Sequence, residues 1–223
     1  MLTIFFWLSL LLAVTDWVAV AWRWRNVRWV TKPGMMIALI IWFTQVGQWS
    51  GPLAAIGLGL VFSLAGDIFL MMPKQFFLAG MGAFFLTHLF YIAGFSQLPL
   101  VLRWEAAVPA LAVTGAFTLL TRRLRMGIQR TPETGLIIPV IAYAIILTLM
   151  WLAALTTLLR PGWLILSAVM VSLGGGLFFL SDSVLAYARF VKPRKYSDLL
   201  VMITYHLAQI LIAGGVLEQF VLI

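Results

Sequence analysis

The chain has no cysteine, so it can form no disulfide, offer no thiolate nucleophile and hold no metal through sulfur. Charge is scarce too. Only 10% of its 223 residues are Asp, Glu, Lys or Arg, with 7 acidic residues and 2 histidines in all. A soluble domain carries roughly 25% charged and 45–50% apolar residues. At 63% hydrophobic, this chain is excluded from that class, and almost no length remains for an extramembrane domain. The shortage of acids leaves a net charge of +8, which could suit nucleic acid. The basic residues, however, lie in short stretches between apolar runs, as positive-inside topology signals do, so no nucleic-acid partner is expected. The N-terminal MLTIFFWLSLLLAVTDWVAVAW has no basic segment ahead of its apolar run. It reads as a retained first helix rather than a cleaved signal.

What is present is a series of apolar runs of spanning length, punctuated by Pro, Gly and basic residues. They predict one all-α integral membrane domain over residues 1–223, a polytopic bundle of eight transmembrane helices. The expected spans are 2–22, 34–50, 53–72, 76–97, 106–121, 134–157, 162–187 and 198–221, with the second and fifth the shortest. Trp22, Trp24, Trp29, Trp49, Trp104 and Trp163 near span ends fit interfacial aromatic belts. Eight spans place the connections 23–33, 73–75, 122–133 and 188–197 on one side. These hold all but two of the 15 basic residues, the exceptions being Arg103 and Arg160. That side is expected to be cytoplasmic, with both termini outside. The chain also repeats loosely. Helices three and four and helices seven and eight each carry an aspartate, a short basic loop and a histidine, as in a parallel repeat about the membrane normal.

Inside these runs lie Asp67, in FSLAGDIFLMM, and Asp182, in GGLFFLSDSVLAY. A carboxylate in hydrocarbon costs about 2.5–3.5 kcal/mol even on a mild insertion scale, and by default marks a functional site. His88 and His206 follow on the next helices. By helical rise Asp67 lies about 9 Å and Asp182 about 10 Å from the basic ends of their helices, Asp16 about 10 Å, His206 about 12 Å and His88 about 18 Å. Groups at such depth face the bundle interior or a watered cavity. Ser63, Tyr91 and Gln209 lie three or four residues from these groups on the same helical faces, and Tyr205 adjoins His206. Gly66 and the Gly174-Gly175-Gly176 run would let helices approach closely. Each histidine suits orienting an aspartate as well as reacting directly, and Asp16 suits a loop-facing salt bridge as well as an interior role. Ser181 and Ser183 read as packing hydroxyls, and the arginines as topology signals that can also hold lipid phosphate.

The segments GDIFLM, FFLTHLFY, FLSDSVLA and YHLAQ resemble, in order and spacing, the YhhN family of bacterial membrane proteins, whose eukaryotic relatives are transmembrane lysoplasmalogenases. The resemblance implies an inner-membrane enzyme. Its substrate would be a lysophospholipid, with membrane lipids around it, and its reaction hydrolysis of the lysoplasmalogen vinyl ether to a fatty aldehyde and a glycerophospho-choline or -ethanolamine. It also implies that Asp67 and Asp182 are the key acids and that no cofactor or metal is needed. The chemistry suits the residues. A vinyl ether is opened by protonation at carbon, giving an oxocarbenium ion that water captures. One carboxyl supplies the proton while a second, ionised, stabilises the cation or activates the water, the division of labour seen in glycosidases. Two other readings remain at this point. One is a zinc-dependent lipid esterase or amidase using His88, His206 and an aspartate. The other is a proton-coupled transporter, which also uses repeats and intramembrane acids.

Overall fold

The computed structural model describes residues 3–100, 104 and 107–221. Among these there are eight α-helices and no strand: α1 (Ile4–Ala21), α2 (Arg25–Val46), α3 (Gly51–Met71), α4 (Phe77–Phe95), α5 (Ala107–Ile128), α6 (Ile137–Thr156), α7 (Ile165–Phe190) and α8 (Ser197–Phe220). An all-helical chain follows from the medium, since in hydrocarbon every backbone group must be satisfied within its own segment. Three hairpins carry the most extensive packing: α1 on α2, α3 on α4 and α7 on α8. The second and third dock through α4, α6 and α7, and α8 also touches α1, α2 and α3, which makes it the central helix. α5 lies at the periphery against α6 and α7. Much of the outer surface is as apolar as the core, with Ile4, Leu11, Ile138, Ile165 and Leu173 all exposed, as lipid contact requires.

Six of these helices are long and apolar enough to cross a membrane: α1, α3, α4, α6, α7 and α8, with α4 extended by one flanking 3-10 turn and α6 by one at each end. α2 and α5 do not belong to this set. They are 22 residues each, but they carry Arg25, Arg28 and Lys32, and Arg122, Arg123 and Arg125, respectively.

The largest departure from the expected spans is at α2. It does not begin at Gly34, after Pro33, but nine residues earlier, at Arg25, and runs through Pro33. Proline in a helix removes one backbone bond, which packed membrane helices tolerate because neighbours re-satisfy the freed carbonyl. The turn that permits the early start is tight. Arg23 has a left-handed φ of 60°, the Trp24 amide donates to Ala19 O at 2.7 Å and the Arg23 amide to Val20 O at 3.2 Å. This is the closure usually made with glycine. Residues 23–33 are therefore mostly helix, and Lys32 is not a loop residue. α5 likewise continues past 121 to Ile128, which puts Arg122, Arg123 and Arg125 on a helix. Arg103 and the first residue of the expected fifth span lie outside the described residues.

Candidate active site

One end of the bundle gathers the C-terminal turns of α3 and α7 and the N-terminal turns of α2 and α8. Between them lies a cavity of about 310 Å³, lined by Arg28 and Lys32 from α2, Asp67 from α3, Asp182 from α7 and Tyr205 from α8, with Phe84 of α4 as an apolar wall. Asp67 and Asp182 thus face one space.

Their surroundings differ. Asp67 is buried and forms an ion pair with Lys32, Nζ to Oδ1 2.9 Å, while Tyr205 donates its hydroxyl to Oδ2 at 2.7 Å. Both oxygens of Asp67 are therefore met by donors. Lys32 is itself 5% exposed, so the two charges neutralise each other out of water, the only economical way to keep either there. Among the described residues Asp182 has no cationic partner at hydrogen-bond distance. The Tyr143 hydroxyl donates to its Oδ2, and His88 Nε2 lies 3.0 Å from that hydroxyl and 3.8 Å from the carboxylate. Asp182 also lines a smaller, largely apolar cleft of about 50 Å³ between α3, α4, α6 and α7, walled by Phe77, Met81 and Val140. Leu70, Phe84, Asp182 and Leu185 belong to both spaces. Asp182 therefore stands at the boundary between a polar chamber and an apolar one.

Asp16 is fully buried. It accepts from the Thr31 hydroxyl at 2.8 Å and has the Arg28 Nε 3.8 Å away. Ser63, Tyr91 and Gln209 meet one another rather than either carboxylate. Tyr91 donates to Gln209 Oε1 at 2.5 Å, and Gln209 Nε2 donates to Ser63 at 2.9 Å. This chain bolts α3, α4 and α8 together beneath the cavity. The two histidines go to separate places: His88 to Tyr143, and His206 to Trp17 of α1, whose indole donates to His206 Nδ1 at 3.1 Å. Neither hairpin bonds its aspartate to its own histidine. Among the described residues no three His, Asp or Glu side chains are grouped to hold a metal ion. Asp67, Asp182 and Asp198 gather at one end of the bundle rather than at its middle.

Two residues that contact Asp67 or Asp182 were not singled out in the sequence, Lys32 and Tyr143, nor were Arg28 and Phe84 of the cavity wall. Arg25, Arg28 and Lys32 follow a three-then-four spacing that marks one helical face, a signal the neighbouring proline obscures. Tyr143 is the one polar aromatic in the apolar run IIPVIAYAIIL, and a buried tyrosine hydroxyl needs a partner.

The chain is similar to several known proteins. It is 33% identical over 177 residues to human lysoplasmalogenase TMEM86A, a match covering 72% of this chain and 64% of that protein. Human lysoplasmalogenase TMEM86B is 34% identical over 160 residues, covering 72% of this chain and 62% of the relative. The chain thus spans a little under two thirds of the length of these lysoplasmalogenases. The membrane protein YhhN of Escherichia coli O6:H1, of uncharacterised activity, is 30% identical over 182 residues, covering 80% of this chain and 83% of the relative. No solved structure matches the chain significantly. The profile of the YhhN family matches residues 27–216, a stretch that holds both aspartates, both histidines and Lys32, and the chain belongs to that family.

Proposed function

We propose that this protein is a membrane-embedded lysoplasmalogenase, with eight spans and both termini on the external face of a bacterial inner membrane. The observation that carries the reading is the placement of Asp182 where a polar chamber shared with Asp67 meets an apolar cleft. An amphiphile lying across that boundary puts its own head-to-tail junction at Asp182, and in a lysoplasmalogen that junction is the vinyl ether. The names of the human relatives support the same substrate.

The reaction adds water across the bond: R–CH=CH–O–R′ + H₂O gives R–CH₂–CHO and HO–R′. In this reading Asp182 is the acid. Its proton goes to the alkenyl carbon remote from oxygen, leaving an oxocarbenium ion. Tyr143 and His88 hold that carboxyl in place. Asp67, fixed by Lys32 and Tyr205, is the ionised carboxylate that faces the cation and draws a proton from the attacking water. The hemiacetal so formed collapses to aldehyde and alcohol. The low-dielectric setting strengthens each of these interactions.

The test is aldehyde release from a 1-alkenyl lysophospholipid by purified protein, with a 1-acyl lysophospholipid as control. Asp67→Asn and Asp182→Asn keep size and much of the hydrogen bonding but lose the charge or the proton. Each is expected to cut the rate at least about a hundredfold, at about 1.36 kcal/mol of barrier per factor of ten; Asp182→Asn should keep the melting temperature, whereas Asp67→Asn strands the buried Lys32 and should also lower it. Full activity in either variant would sink the two-carboxylate scheme. Loss of activity in chelator, restored by zinc, would favour a metal mechanism instead.

A further inference from the structure

The mouth of the polar cavity carries charges that the two-carboxylate chemistry does not use. Lys32 and Asp67 neutralise each other at 2.9 Å. That leaves Arg25 and Arg28 on the α2 wall and Asp198 on the α8 wall, all three lining the cavity. Arg25 and Asp198 are exposed, and neither forms an ion pair within 4.0 Å among the described residues, so the opposite charges are held apart by the opening. Arg28 lies 3.8 Å from Asp16, close enough for attraction but not for a hydrogen bond, and its Nε is without a hydrogen-bond partner. Arg25 is also the first residue of α2, whose N-terminus has no side-chain cap. The Arg25 amide donates to Arg23 O at 3.0 Å, and the helix dipole at this end adds positive potential to the arginine wall. Trp29 lines the same opening with its ring half exposed, an aromatic face of the kind that attracts alkylammonium groups.

We propose that this mouth is a subsite for a zwitterionic phospho-amine head group. The phosphate sits between Arg25 and Arg28 at the α2 N-terminus. The ammonium points across the opening to Asp198, with Trp29 beside it. Guanidinium groups suit phosphate because their N–H fork matches two of its oxygens. A dipolar head satisfies both walls at once, whereas a lone phosphate leaves Asp198 without a counter-charge and a bare glycerol leaves Arg25 and Asp198 without one and Arg28 with only Asp16 at 3.8 Å. The inference rests on the lysolipid reading above, and deepens it from the reacting bond to the head that anchors the substrate. With the head at the mouth and Asp182 at the inner boundary, the glycerol spans the polar chamber.

The test uses full-length protein in maltoside micelles and three 1-alkyl glycerol ethers, which lack the vinyl bond and cannot be cleaved. They are 1-hexadecyl-glycerophosphocholine, 1-hexadecyl-glycerophosphate and 1-hexadecylglycerol, each measured by titration calorimetry. Unaltered protein should bind the phosphocholine at least about tenfold more tightly than the alkylglycerol. Arg28→Gln, and the surface-exposed Arg25→Gln as a variant with little risk to folding, should each weaken both phosphate-bearing ligands about tenfold and leave the alkylglycerol alone. Asp198→Asn should weaken the phosphocholine only. Equal affinity for all three ligands, or an Asp198→Asn change that weakens them all alike, would overturn the subsite. Vinyl-ether cleavage is measured on the same preparations. Cleavage without head-group preference removes the subsite and leaves the hydrolase reading standing. Head-group preference without cleavage does the reverse.

Discussion

The Lys32–Asp67 pair shows how one residue can hide its importance. A lysine beside a proline at the edge of an apolar run looks like a topology charge, yet here it is buried and 2.9 Å from the carboxylate. Removing one member of such a pair strands the other, and typically costs about 3–5 kcal/mol. Lys32→Met is therefore expected to lower the melting temperature sharply and abolish activity. Adding Asp67→Asn to it should restore most of the stability but none of the activity, because the stranded charge is gone while the carboxylate proposed to activate water is absent. Thermal unfolding in micelles beside an aldehyde assay reads both. A double variant as unstable as Lys32→Met would show that the pair does more than balance charge. Tyr143 is a gentler case. Tyr143→Phe removes one hydrogen bond to a carboxylate, worth about 1.5–3 kcal/mol. Its rate should fall roughly tenfold to a hundredfold, with a smaller drop in melting temperature than Lys32→Met, and His88→Ala, which acts on Asp182 through Tyr143, should be milder. An unaltered rate in Tyr143→Phe would remove that hydroxyl from the mechanism.

Among the elements, α2 and the α7–α8 hairpin matter most to the site. α2 delivers Arg25, Arg28 and Lys32 to the cavity because it starts directly after a three-residue connection, Trp22 to Trp24, and passes through Pro33. The α7–α8 hairpin places Asp182 and Tyr205 on facing helices, and it closes tightly because Gly174 leaves room. A Cβ there would lie 2.8 Å from Ile212 Cγ1 and 3.0 Å from the Ala208 carbonyl oxygen. The carbonyl cannot move without its helix. Gly174→Val should therefore cost about 1–3 kcal/mol by overpacking, seen as a lower melting temperature. It should also reduce activity by splaying Asp182 away from Tyr205. A variant that melts and turns over like the parent would mean that the hairpin yields elsewhere.

For the whole molecule, the four connections joining α1 to α2, α3 to α4, α5 to α6 and α7 to α8 share one end of the bundle. The cavity lining joins α2, α3, α7 and α8 there. A second groove adds Leu120 of α5 to Arg194 and Lys195, and Arg189 pairs with Glu133 at 3.6 Å. Arg160, by contrast, bonds to Leu98 O between the α4–α5 and α6–α7 connections at the other end. If the basic end is cytoplasmic, reporter fusions after residue 127 should read as cytoplasmic and fusions after residue 223 as external. Signals on the same side would refute eight spans, because α6, α7 and α8 lie between the two sites.

Composition alone determined the medium and the helical class, because a chain this apolar and this short of charge has no other stable way to satisfy its backbone in hydrocarbon. Sequence also marked Asp67 and Asp182, since ionisable groups are rare enough in such runs to stand out. It misplaced the start of α2, because the local rule that proline ends a helix was outweighed by packing against α1 and α3. Only the tertiary structure decided who meets whom. His88 goes to Tyr143 beside the distant Asp182 rather than to Asp67 of its own hairpin, His206 goes to Trp17, and Lys32 goes to Asp67. Such pairings are set by the relative rotation and depth of helices far apart in sequence, which hydrophobic periodicity does not encode.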